Sequence, residues 1–165
     1  MQTHMGLDAR AFDQSRVYGA VTVRPLTKGD RAEWDRLWKG YLDFYETTLP
    51  KAQYDLTFAR YLDPAEPMFA YLAEHEGKPR GLTHIILHRH GWIDAATCYL
   101  QDLYVDSDLR STGMGRALIE HVYHVTKAAG GTRVYWMTHE TNAVGRRLYD
   151  RIADRSGFIQ FAKKL

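Results

Sequence analysis

Six consecutive residues are suited to holding an anion: Arg110-Ser111-Thr112-Gly113-Met114-Gly115. They follow an apolar stretch that reads as a strand, "TCYLQDLYVD", and open one that reads as an amphipathic helix. A helix start presents several N–H groups without carbonyl partners and a partial positive charge, so phosphates settle there. Gly113 and Gly115 clear the approach to the backbone. Arg110, Ser111 and Thr112, with Arg116 just beyond, can add donors. No GxxxxGK[ST] run is present, and the third glycine of a dinucleotide-binding fingerprint is replaced by Leu118. On these residues alone, a pyrophosphate cradle and a plain glycine-rich helix cap both stay open.

A second group lies further on. Asn142 and Tyr149 are seven residues apart, which is two helical turns and one helix face. A phenol there could protonate a leaving group at neutral pH, or simply be a half-buried helix aromatic. The eight histidines raise the question of a metal. His84 and His88 sit roughly 13 Å apart if both lie on one strand, too far to share an ion. His121 and His124 have suitable helical spacing but no evident third ligand. The histidines are expected at the solvated surface, with no metal site.

The elements that must position these groups follow from periodicity. "AVTVRPL" (20–26) alternates as a strand. "TKGDRAEWDRLWKGYLDFYE" is a helix with a wide apolar stripe from Trp34 to Tyr45, opened by a Thr27/Asp30 capping box and weakened by Gly40. A shorter helix spans "KAQYDLTFARYL". Two strands, near Met68–Glu74 and Gly81–Arg89, form a hairpin, and "TCYLQDLYVD" is the next strand. A helix runs from the glycine loop to Ala129, then come a strand "TRVYWMTHE", a helix "TNAVGRRLYDRIADRS" with Val144, Leu148 and Ile152 inward, and a closing strand "GFIQFAKKL". The two strand-helix-strand units after residue 97 are crossovers, so part of an otherwise antiparallel sheet is parallel. Residues 1–19 are expected to be a poorly ordered tail, and residues 20–165 a single domain.

The 165-residue length fits one domain with a real core. A net charge of +2, with no basic run, gives no support for nucleic-acid binding. One cysteine, Cys98, excludes an internal disulfide and fits a reducing compartment. No apolar stretch is long enough to span a membrane, and the N-terminus lacks an apolar signal core. A cytoplasmic protein is expected.

In this order of elements, "LQDLYVDSDLRSTGMGRALIEHV" resembles the core motif of the GNAT superfamily of N-acetyltransferases, whose loop reads R/Q-x-x-G-x-G/A. "TNAVGRRLYDRIADRSGF" resembles the second motif of that family, and "VRPLTKGDRAEWDRLWKGYLDFYE" is similar to the opening of its histone/polyamine and small-amine branch. The resemblance runs from about residue 20 to the end. It implies an α+β fold: a mixed, mostly antiparallel central sheet with one parallel, splayed strand pair, flanked by helices on both faces. It also implies acetyl-CoA, with its pyrophosphate on residues 110–116 and its pantetheine arm along the backbone of Leu103, Tyr104 and Val105, facing "YWMT" (135–138).

By the same resemblance, Asn142 contacts the coenzyme and Tyr149 protonates the departing thiolate. Tyr41, Tyr45 and Glu46 fall near the substrate mouth, where aromatics and a carboxylate suit an ammonium. The attacking amine has to lose a proton. Polyamine-type relatives carry "LED", with Glu as base; here "LQD" places Gln101 at that position and leaves Asp102 as the candidate base. Successive strand residues face opposite sides, so Gln101 and Asp102 cannot both meet the amine. With no activated nucleophile in the motifs, transfer is expected to be direct, in a ternary complex. The expected acceptor is a primary amine on a small molecule, of polyamine or amino-acid type. A protein lysine or N-terminus, and a non-catalytic acyl-CoA sensor, are the alternatives. The resemblance also makes a homodimer an expectation.

Overall fold

Alternation at residues 20–26 buries Val21 and Val23 on one face of an antiparallel strand. In the computed structural model, which describes residues 3–165, that strand belongs to a six-stranded sheet. The elements are β1 (Thr3–His4), β2 (Leu7–Asp8), β3 (Arg16–Tyr18), β4 (Val21–Pro25), α1 (Arg31–Phe44), α2 (Lys51–Leu62), β5 (Met68–His75), β6 (Lys78–His90), β7 (Ile93–Val105), α3 (Met114–Ala128), β8 (Val134–Tyr135) and α4 (Ala143–Ile152). β1 and β2 pair separately; the main sheet runs β3-β4-β5-β6-β7-β8. Every pair in it is antiparallel except β7–β8. The expected α+β architecture with one parallel pair is therefore observed.

Two apolar clusters lie on the two faces of the sheet. One gathers α3 residues Leu118, Ile119, Val122 and Val125 with Val23, Tyr71, Ile85 and Cys98. The other packs Trp34, Leu37, Trp38 and Leu42 of α1 with Phe58 and Tyr61 of α2 onto Leu72 and Leu82. The capping box is present: Thr27 N–H and its hydroxyl both donate to Asp30 Oδ2, at 2.8 and 2.6 Å. Arg24 clamps the same carboxylate with two nitrogens at 2.8 Å. Gly40, a weak helix former, is explained by packing. A Cβ there would overlap the Tyr104 ring, so glycine lets β7 approach α1.

Three expectations need correction. Residues 7–18 are not a loose tail. Leu7 and Phe12 are fully buried, Phe12 stacks on Phe69 with centroids 4.3 Å apart, and the Tyr71 hydroxyl donates to the Phe12 carbonyl at 2.9 Å. Strands of two or three residues are too short to show a period. Residues 1 and 2, also expected in that tail, lie outside the described residues. At the other end, "GFIQFAKKL" forms no strand, and Phe158, Ile159 and Phe161 are exposed. In α4, Val144 is exposed, whereas Leu148 and Ile152 pack on the core as expected. Among the described residues, no helix is long and apolar enough to cross a membrane.

Candidate active site

The parallel pair is short. Cys98 pairs with Val134 and Tyr99 with Tyr135, and no further rung joins them. β7 continues to Val105 while Trp136–Thr138 diverges. The expected strand "TRVYWMTHE" thus shrinks to two paired residues, and a cleft opens beyond them. Leu100, Gln101 and Leu103 line one wall; Trp136, Met137 and Thr138 line the other. Tyr41, Tyr45 and Tyr149 complete it. Along the β7 side of this gap, backbone groups of residues 100–103 are not used by β8.

The glycine loop lies at the end of the same strand. Gly113 caps α3 with φ 96°, a left-handed conformation that L-residues rarely adopt, and contributes no side-chain cap. The first backbone bond of the helix is Ala117 N–H to the Gly113 carbonyl, 2.9 Å, so the N–H groups of Met114, Gly115 and Arg116 precede the intrahelical ladder. A Cβ on Gly115 would meet nothing nearer than Leu148, at 3.8 Å. The protein itself therefore does not demand glycine at 115; an approaching anion would. The donors and open space fit a pyrophosphate.

The side chains of the loop behave differently from expectation. Met114 is buried in the core, leaving only its backbone to the loop. The Thr112 hydroxyl donates to the Leu109 carbonyl at 2.6 Å. Arg110 Nε donates to the Val105 carbonyl at 3.3 Å, and its guanidinium lies over Phe44 and Tyr104. Arg116 pairs with Glu120 at 2.6 Å on the exposed helix surface. Ser111 adopts φ 65°, turning the chain into the loop.

Asn142 is placed differently too. It is the N-cap of α4, not a residue on its face. Its Oδ1 accepts from Gly145 N–H at 3.1 Å, and its Nδ2 donates to Thr138 Oγ1 at 3.0 Å. Both ends of the carboxamide are engaged, tying the start of α4 to the cleft wall. Gly145, which the sequence reading passed over, admits this cap: a Cβ there would crowd the Asn142 amide. Tyr149 reaches the cleft two turns later, edge-on to Trp136. Burial, and secondarily Tyr45, push its pKa up to about 12, so it keeps its proton at neutral pH.

On β7 a bulge decides which residue points where. Ile85 pairs with Leu100 and His84 with Asp102, leaving Gln101 as the extra residue. Gln101 is exposed and lines the cleft. Asp102 is 5% exposed and hydrogen-bonded to His84, and its negative charge is felt by the Tyr41 phenol of α1. Burial first, and then that negative charge, hold the Tyr41 phenol far above its ordinary pKa; the same two causes act on Tyr45. Glu46 ends α1 in a left-handed turn (φ 52°), exposed and outside the cleft lining.

The histidine expectation fails at two positions. His84 and His121 are fully buried. His84 hydrogen-bonds Asp102, and His121 hydrogen-bonds Tyr18. Burial draws the pKa of His121 down to about 4, so it is a neutral core residue.

A cleft at a splayed strand pair, beside a glycine-capped helix start, is the geometry that comparison with known proteins explains. Residues 34–153 match the model of the acetyltransferase (GNAT) family. The chain belongs to that family. It is an acetyl-CoA-dependent N-acetyltransferase. It is 31% identical over 152 residues to the D-amino-acid N-acetyltransferase HPA3 of Saccharomyces cerevisiae, covering 91% of this chain and 94% of that one. The same fold appears in an aminoglycoside acetyltransferase, meta-AAC0020, from an uncultured soil metagenomic sample. That match has a TM-score of 0.77, 15% identity, and covers 91% of this chain and 99% of that one. It appears again in the aminoglycoside N-acetyltransferase AAC(6')-Iy in complex with CoA, with TM-score 0.75, 16% identity, and coverage of 92% and 96%.

Proposed function

We propose that this GNAT enzyme acetylates the primary amine of a small molecule of amino-acid type, by direct transfer with both substrates bound. The observation that carries this reading is the convergence of Tyr41, Tyr45, Gln101 and Tyr149 on the cleft between β7 and residues 136–138. The relative at 31% identity, named for D-amino acids, narrows the small-amine expectation to amino acids ahead of polyamines.

Bound acetyl-CoA would supply an activated acetyl group and a thiolate leaving group. The first-turn amides of α3 and the Gly113–Gly115 opening would hold its pyrophosphate, with Arg110, Ser111, Thr112 and Arg116 nearest to add donors. The Leu103–Val105 backbone would supply groups to its pantetheine arm. Free backbone donors in the gap can polarise a carbonyl, a role worth about 3 kcal/mol. Tyr149 stays a phenol and can hand its proton to sulfur. Tyr45 and Gln101 border the amine.

Tyr41 connects the cleft to Asp102. An ammonium proton can pass to the Tyr41 oxygen as the phenol's own proton moves to the Asp102 carboxylate. The amine is left neutral and Asp102 carries the proton. Asn142 acts at one remove by fixing α4, and with it Tyr149. Glu46 has a place in this reading only as a charge near the mouth. The exposed Phe158, Ile159 and Phe161 support a homodimer that covers them.

The test is a panel of amines of one size class: D- and L-amino acids, diamines and lysyl peptides, each with acetyl-CoA. Product mass and free thiol are both measured. Acetylation of free amino acids supports the reading; turnover restricted to peptides removes it.

A further inference from the structure

His84 is fully buried, has titratable chemistry, and takes no part in the site described so far. Two hydrogen bonds fix its state. The Trp34 indole donates through Nε1 to His84 Nε2 at 2.9 Å. An indole nitrogen is only a donor, so Nε2 must be an acceptor and carry no proton. The ring proton therefore sits on Nδ1, which lies 2.9 Å from Asp102 Oδ2. Tyr61 stacks on the imidazole with centroids 4.1 Å apart and an interplanar angle of 17°, and Trp38 packs at 4.9 Å. Hydrogen bonds run from Trp34 on α1 through His84 on β6 to Asp102 on β7, and the charge of Asp102 reaches Tyr41 back on α1.

We propose that Trp34 and His84 are positioning residues for the reaction: Trp34 locks His84 as the neutral Nδ1–H tautomer, and His84 orients the Asp102 carboxylate toward Tyr41 without cancelling its charge. This rests on the reading of Asp102 as the proton acceptor behind Tyr41.

The logic is electrostatic. Protonating His84 would put a second N–H on Nε2, pointing at the indole N–H. Two donors cannot share one hydrogen bond, so the imidazolium is disfavoured. Were it to form, it would lie against Asp102. An opposite charge at that distance favours the carboxylate and lowers its appetite for a proton. It would also cancel the negative potential that Asp102 casts on the cleft. The groups facing His84 and Asp102 are Trp34, Trp38, Tyr41 and Tyr45 from α1, Tyr61 from α2 and Tyr99 on β7. None of them is a cation. Tyr41, Tyr45 and Tyr61 are held protonated by burial first and by Asp102 next. Tyr99 feels Tyr135 before Asp102.

Trp34→Phe keeps a ring in place and removes only the donor. The account expects His84 in wild type to show the Nδ1–H pattern in nitrogen-15 NMR. In Trp34→Phe the Nε2 atom loses its donor and is free to take a second proton. The kcat/KM profile for the amine should then lose at least tenfold at pH 6 and return to wild-type rates near pH 8.5. A merely structural loss would lower the rate equally at every pH, and that outcome overturns the proposal. His84→Gln, which keeps a neutral donor, should preserve the shape of the wild-type profile; a variant profile displaced like that of Trp34→Phe counts against it. Should Trp34→Phe not fold, wild-type NMR decides: an Nε2–H tautomer overturns the lock. Asp102→Asn separates the two claims. If its profile matches wild type, the acceptor reading itself is gone. If it moves while Trp34→Phe does not, only the positioning claim falls.

Discussion

The ring of Tyr149 meets Trp136 edge-on, with centroids 5.4 Å apart and planes at 70°. Trp136 belongs to the wall that diverges from β7, and Tyr149 stands two turns into α4. The contact holds the phenol in the cleft. Tyr149→Phe leaves the packing in place and removes the proton donor. Turnover should fall about 100-fold, with the KM for acetyl-CoA within a factor of two or three of wild type. Steady-state kinetics check this, and wild-type turnover in the variant would strip Tyr149 of its role.

The pH dependence follows from the same residue. Its folded pKa is raised to about 12, so the phenol is protonated at all lower pH values and loses its proton only as pH rises through that value. With acetyl-CoA and amine saturating, kcat should not decline between pH 7 and 10. A basic limb centred near 10, the ordinary tyrosine value, would contradict the burial assigned to Tyr149.

The two loop glycines should separate stability from binding. Gly113→Ala forces an L-residue into a left-handed conformation and should cost about 1–2 kcal/mol, seen as a lower Tm. Gly115→Ala meets no close protein atom and, in a helix, should be neutral or slightly stabilising. It should nonetheless raise the KM for acetyl-CoA several-fold, because the methyl stands where the anion approaches. A stable Gly115→Ala protein with unchanged KM would leave the loop as a helix cap only.

Asn142→Ala should act first on stability. Loss of the cap bond to Gly145 costs about 1 kcal/mol, which is a Tm lower by a few degrees. Turnover should follow through a less fixed Tyr149, while a changed KM for acetyl-CoA at unchanged Tm would mean that Asn142 binds the coenzyme directly.

Much of this architecture was legible because it rests on local chemistry. The α1 stripe, the Thr27/Asp30 box and the two glycines at a strand-to-helix turn each follow from a few adjacent residues. What escaped the sequence depends on distant partners. The bulge that sends Gln101 into the cleft and Asp102 behind Tyr41 arises from pairing with β6, which periodicity within β7 cannot show. His84 read as a surface residue because its partners, Trp34 and Asp102, lie 50 and 18 positions away. The resemblance made Asn142 a coenzyme contact and its spacing to Tyr149 put both on one helix face, whereas the helix begins one residue later and Asn142 caps it. The N-terminal segment adds Leu7 and Phe12 to the core through strands too short to carry a pattern.

The central claim is that the cleft between β7 and residues 136–138 joins an acetyl thioester to a small free amine, with Tyr149 as proton donor. Its most direct measurement is the rate of thiol release from acetyl-CoA with and without free D-amino acids, for wild type and Tyr149→Phe, with the product identified by mass. The account predicts acceptor-dependent release and an N-acetyl amino acid in wild type, both strongly reduced in the variant. Release that ignores the acceptor, or equal rates in the two proteins, would contradict it.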